Sequence, residues 1–191
     1  MMQRAQKANL QMADRAIGAS RATDWRAQTF DAFERAGVEI FCYLPDAGLD
    51  AFIHRANAGN ARRAVVLSTE EEGVGICCGA WLGGKRAVLM IQSSGVGNCI
   101  NTLSLAKVCA FPLVMLVTMR GQWGEMNPWQ VPMGRITGEN LRLAGATVYE
   151  VEEPDLAASA VEAATRIAFN GGLTAAVLLS QRMIGTKLFK D

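Results

Sequence analysis

Apolar positions recur at helical spacing from Trp25 through Phe30 and Phe33 to Ala36, which predicts a helix capped by Thr23 or Asp24 and ended by Gly37. The β-rich run Val38–Tyr43 predicts a strand, Pro45-Asp46-Ala47-Gly48 a loop, and the stretch from Leu49 to Ala58 a second helix. Ala64–Leu67 has the signature of a short buried strand. Ser68-Thr69 then offers a cap for a helix over Glu70–Leu82, whose glycines weaken helix propensity but permit close packing. Gly83-Gly84 breaks the chain before a strand at Ala87–Ile91, and Gln92-Ser93-Ser94-Gly95-Val96-Gly97-Asn98 predicts a loop that opens a helix from about Cys99 to Cys109.

Phe111–Thr118 is a further apolar strand. Met119–Gly134 holds Gly121, Gly124, Pro128 and Pro132 with two tryptophans, the composition of a long ordered loop, and such loops in compact domains usually carry function. Arg135–Ala144, Thr147–Val151, Pro154–Phe169 and Thr174–Leu179 complete an alternation of helix and strand. The fold class that follows is α/β, a mainly parallel sheet with helices on both faces. Ligands of such sheets sit at the carboxyl ends of the strands, where the Pro45-Asp46 loop, the Glu70 cluster and the Ser93–Asn98 segment all fall. No internal repeat or low-complexity tract interrupts the pattern.

At 191 residues the chain suits a single domain, and a composition that is 50% apolar and 19% charged leans toward extensive burial, as at a subunit interface. A formal net charge of +1 without a basic block disfavours a nucleic-acid role. The longest apolar runs have the length of buried strands and are too short to span a bilayer. Residues 1–22 read as an N-terminal extension, a frayed amphipathic helix without the continuous apolar core of a secretory signal. The odd number of cysteines, five, with four in apolar or small-residue segments, favours reduced thiols in a cytoplasm. No Cys-x-x-Cys occurs and His54 is the only histidine, so zinc and iron–sulfur ligand sets are missing and His54 itself suits a surface.

Three sets of residues have chemical potential. Glu70, Glu71 and Glu72 follow a buried strand, and they are either solvated first-turn acids favouring the helix dipole or a group with a carboxylate turned toward the core. The small residues from Gly73 to Ala80 raise the second possibility, because they let a backbone or a flat ligand approach. The Gln92–Asn98 segment offers backbone N–H groups, two hydroxyls and an amide to an anion or a polar ligand edge, with a plain turn and cap as the alternative; it is neither a phosphate loop of the Gly-Lys-Ser/Thr type nor a dinucleotide fingerprint. Arg120 opens the long loop, where a guanidinium is placed either to grip a carboxylate, sulfonate or phosphonate or to form an interface salt bridge.

Tyr43-Leu44-Pro45-Asp46, the run Thr69 to Ala80, Gln92 to Asn98 and Arg120-Gly121, taken in that order, resemble the pyrimidine-binding domain of thiamine diphosphate (ThDP) dependent decarboxylases, most of all the sulfopyruvate decarboxylase alpha subunits, with phosphonopyruvate decarboxylases next. The resemblance runs from about Phe30 to Leu179 and assigns residues 23–191 to that domain. It implies that Glu70, with Glu71 as the fallback, hydrogen-bonds the cofactor's aminopyrimidine ring and promotes the imino form that removes the thiazolium proton, while the cofactor carries the hard chemistry. It further implies a proton-relaying or substrate-orienting role for Asp46. It places Ser94, Gly95, Gly97 and Asn98 against the cofactor, and Ser93, Asn98 and Arg120 against the substrate. The Gly-Asp-Gly motif with which the family's diphosphate-binding half holds Mg2+ is not found in this sequence. The resemblance therefore implies a separate beta subunit that carries Mg2+, in a hetero-oligomer with two or more copies of each chain, converting 3-sulfopyruvate to sulfoacetaldehyde and CO2. The tryptophan-rich loop Gln122–Gln130 departs from the phosphonopyruvate pattern, which keeps other 2-oxoacids open as substrates. A non-catalytic α/β binding or regulatory module is the reading from a different class.

Overall fold

The computed structural model describes residues 24–59 and 62–186. The extension expected over residues 1–22 and the alternative cap Thr23 lie outside the described residues. The elements are α1 (Trp25–Arg35), β1 (Val38–Tyr43), α2 (Asp50–Asn57), β2 (Arg63–Val66), α3 (Glu70–Leu82), β3 (Arg86–Gln92), α4 (Ser93–Cys99), α5 (Leu103–Val108), β4 (Leu113–Thr118), α6 (Val131–Leu143), β5 (Thr147–Val151), α7 (Ala157–Gly171), β6 (Thr174–Leu179) and α8 (Gln181–Ile184). Among the described residues the six strands are all parallel, in the order β2-β1-β3-β4-β6-β5.

The period-2 alternation of strand side chains builds two cores from the same residues. Val88 and Met90 of β3, with Val114 and Leu116 of β4, face α1, α2 and α7, where Phe30 and Phe33 pack against Phe41. Leu89 and Ile91, with Met115 and Val117, face α3 to α6 and meet Val74, Val96, Leu103 and Leu141. Strands β4 and β6 are buried at every position, which is why they read as continuous apolar runs rather than alternating ones. Asp24 caps α1 by accepting the Arg26 N–H at 3.0 Å.

The predicted α/β architecture holds, with three local corrections. Strand β2, expected to be buried, lies at the edge of the sheet and leaves Val66 exposed. The segment expected to loop before a helix at Cys99 is itself helical from Ser93, and the chain breaks later, so that one expected helix becomes the two short ones α4 and α5. Tertiary packing overrides the poor propensity of Gly95 and Gly97, since α4 is wedged among α3, α6 and the sheet. The long loop is also shorter than expected, because α6 starts at Val131 with Pro132 in its first turn, where a missing N–H costs nothing. No described helix is long and apolar enough to cross a membrane.

Candidate active site

The carboxyl ends of the central strands converge where the strand order reverses between β1 and β3, the place where doubly wound sheets bind ligands. Glu70 is the first residue of α3 and is buried. Thr69 occupies the cap position but makes no capping bond; instead Glu72 reaches back and accepts the Ser68 N–H at 2.8 Å. Of the three glutamates, then, Glu72 serves the helix and Glu70 turns inward. Its Oε2 accepts a hydrogen bond from Asn98 Nδ2 at 2.8 Å, while Oε1 has no partner among the described residues. Glu71 is half-buried, and its Oε2 is enclosed without a partner.

Gly95 lies directly over this carboxyl group: a Cβ there would collide with Glu70 Cγ, Cδ and Oε1. That contact explains a glycine inside a helix, because only a bare backbone lets α4 approach α3 this closely. Cys99, one turn further along α4, has its thiol pushed up to about 12 by burial and by the nearby Glu70 and Glu71 carboxylates. That shift favours the neutral thiol beside them.

The second half of the site is built around Asp46. Its Oδ2 accepts the Gly48 N–H at 3.0 Å and the Thr118 hydroxyl at 2.9 Å, and its Oδ1 pairs with Arg120 Nη2 at 2.8 Å. The two side chains are only 9% and 5% exposed, so this is a buried ion pair. Arg120 is fixed at its other end by the hydroxyl of the fully buried Ser93, which accepts the Arg120 N–H at 3.0 Å. Helix α6 presses on the same peptide, since a Cβ on Gly134 would run into the Arg120 carbonyl. The Nη1 and Nε donors of Arg120 make no hydrogen bond to the described residues.

Helix α4 joins the halves, with Ser93 holding Arg120 at one end and Asn98 holding Glu70 at the other. Ser94 is half-buried and Gly97 exposed beside Met133. Sequence reasoning did not single out Thr118, although a hydroxyl closing an all-apolar strand was a visible signal. It also missed the amides that order the tryptophan loop. Gln181, fully enclosed, accepts the Gln122 and Trp123 N–H groups at 2.8 and 2.9 Å and donates to Glu125 at 2.9 Å, and Gln130 donates to Gln92 at 3.1 Å. Burial pushes the Glu125 carboxyl up, but the Asn127 and Gly121 N–H groups, the Gln181 amide and the Arg120 charge outweigh it and hold it below the usual carboxylate range. Trp123, Met126 and Trp129 project from this fastened loop and are exposed. His54 lies at the surface, paired with Asp50 at 3.3 Å. Among the described residues no three His, Cys, Asp or Glu side chains gather as a metal-ligand cluster.

Solved structures of two other proteins share this α/β architecture. The chain superposes on a 2-oxoglutarate:ferredoxin oxidoreductase from Magnetococcus marinus with a TM-score of 0.68 at 14% identity, covering 85% of this chain and 29% of that one. On a benzoylformate decarboxylase from Polynucleobacter necessarius the score is 0.64 at 16% identity, covering 88% of this chain and 32% of that one. No family profile matches the sequence. Curated relatives are more specific: the sulfopyruvate decarboxylase alpha subunit of Methanococcus maripaludis is 32% identical over 78% of this chain and 90% of its own length. That of Methanothermobacter thermautotrophicus is 34% identical over 75% and 88%. A phosphonopyruvate decarboxylase of Streptomyces viridochromogenes is 38% identical, but over 56% of this chain and 28% of its own. The chain belongs to the family of sulfopyruvate decarboxylase alpha subunits.

Proposed function

We propose that the chain is the alpha subunit of a ThDP-dependent 2-oxoacid decarboxylase that converts 3-sulfopyruvate to sulfoacetaldehyde and CO2, and that Glu70 is its activating carboxylate. The observation carrying this reading is the buried Glu70, anchored through Oε2 by Asn98, roofed by Gly95, and left with Oε1 uncommitted. A carboxyl group so held fits the edge of an aminopyrimidine ring, which needs one fixed acceptor and a flat approach. ThDP, when bound, supplies the electron sink for loss of CO2. The residues of this chain present Glu70 Oε1 for proton exchange with the ring, keep the carboxyl in one orientation through Asn98, and offer directed donors to the substrate from Arg120. Ser94, Gly95, Gly97 and Asn98 form the wall on the cofactor side. Ser93 acts through Arg120, whose backbone it holds.

A sulfonate next to a carboxylate makes the substrate a dianion. Asp46 cancels the net charge of Arg120, so the guanidinium contributes aimed hydrogen bonds more than bulk attraction. Replacing Arg120 with Lys is expected to raise KM for 3-sulfopyruvate about tenfold, of the order of one charge-assisted hydrogen bond, with a smaller effect on pyruvate. Equal effects on both substrates in steady-state assays would remove Arg120 from the anion site.

The cofactor's diphosphate and Mg2+ belong, in this reading, to a separate beta subunit, and the active species is a hetero-oligomer with two or more copies of each chain. The relatives are named as alpha subunits, and the exposed Trp123, Met126 and Trp129 supply apolar surface beside the site for such a partner. The free cysteines suit a cytoplasmic setting. The deciding experiment assays the chain with ThDP and Mg2+, alone and mixed with a Gly-Asp-Gly subunit. Decarboxylation of 3-sulfopyruvate only in the mixture supports the reading. Turnover of another 2-oxoacid alone would change the substrate and keep the mechanism, whereas no turnover of any would leave a binding module.

A further inference from the structure

The opposite end of the sheet holds a second charged recess. Between α1 and α7 lies a cavity of about 390 Å3 whose polar lining includes Arg35, Arg86, Glu162, Arg166 and Asn170. Arg86 opens β3 and Gln92 closes it, so at about 3.3 Å per residue this recess is roughly 20 Å from the active edge.

The three arginines are held to different degrees. Arg86 is fixed, with its guanidinium 4.9 Å above the Phe169 ring and Nη1 donating to the Ala36 carbonyl at 2.6 Å. Arg35 pairs with Glu162 at 2.7 Å, which neutralises the single acid of the lining. Arg166 makes no hydrogen bond or ion pair among the described residues, and neither does the Asn170 amide one turn away on α7. Three guanidinium groups against one carboxylate leave two positive charges around a cavity with uncommitted planar donors.

We propose that this recess binds a compact phosphate-bearing polyanion of the diphosphate type. Guanidinium forks match phosphate oxygens bidentately, the two excess positive charges offset most of the charge of a diphosphate, and the volume exceeds what one phosphate group fills. A carboxylate ligand would use the same forks with less charge, and an apolar one would leave Arg166 and Asn170 unserved.

The test is isothermal titration of the full chain with inorganic pyrophosphate, against sodium chloride at matched ionic strength. Saturable binding is expected, weakened at least tenfold by Arg166→Ala and abolished by Arg166→Glu. Arg166 is exposed, so neither variant disturbs the core, and circular dichroism confirms the fold. No saturable heat, heat reproduced by chloride, or unchanged affinity in Arg166→Glu would overturn the proposal. The outcome is independent of decarboxylation, because these residues lie outside the catalytic edge.

Discussion

Glu70→Gln in the assembled enzyme is expected to lower kcat by about 10²- to 10⁴-fold, the range that a positioned acid–base group contributes. The amide keeps the size of the carboxyl group and still accepts the Asn98 bond through its own oxygen. It cannot hold a proton for the ring. Subunit assembly and thermal stability should therefore stay close to wild type, and the loss should fall on kcat rather than on KM for the 2-oxoacid. Glu71→Gln is the matched control: Glu71 has an enclosed, unpartnered oxygen, but the Asn98 anchor and the Gly95 contact both belong to Glu70. If Glu71→Gln abolishes turnover and Glu70→Gln does not, the assignment passes to Glu71. If neither variant affects turnover, the carboxylate mechanism fails for this chain.

The sheet was legible because its evidence is local. An apolar run such as Leu113–Val117 buries every side chain, and the polar residue that ends it marks the edge where chemistry sits. The triplet Glu70–Glu72 stood out for the same reason, as carboxylates placed between a strand and a run of small residues, but which of the three turns inward depends on the packing of α4 against α3. Helix α4 was not legible, because Ser-Ser-Gly-Val-Gly has the composition of a loop and becomes helical through contacts with α3 and α6 that no local window contains. The pairing of Asp46 with Arg120 was hidden for a related reason. Each residue stood out alone, but they are 74 positions apart, and only the parallel register of β1, β3 and β4 brings the ends of their strands together. That register changes what Arg120 can do: before folding it is a free cation, and in the fold it is a neutralised, aimed donor set. The tryptophan loop shows the same limit, since its order depends on Gln181 from beyond β6.

Asp46→Ala is expected to destabilise the chain by about 3–5 kcal/mol, because it strands the Arg120 charge in a site where the side chain is 5% exposed. For a domain of this size the corresponding drop in Tm is roughly 6–20 °C. The Thr118 hydroxyl and the Gly48 N–H lose their acceptor at the same time, which adds to the cost. Removing both charges in Asp46→Ala/Arg120→Met should recover part of that stability, since the penalty belongs to the unpaired ion rather than to the absence of a favourable bond; a double variant as unstable as the sum of the single ones would show that the pair is not coupled. Asp46→Asn then separates positioning from proton transfer. The amide keeps an acceptor for Arg120 but loses the charge that fixes it. If Asp46 acts by holding Arg120, KM for 3-sulfopyruvate rises while kcat changes only a few-fold and its pH profile keeps its shape. If Asp46 relays a proton, kcat falls by orders of magnitude and one limb of the pH profile disappears. The geometry favours the first result, because both carboxylate oxygens are already committed to fixed donors and neither is free to exchange a proton with a substrate.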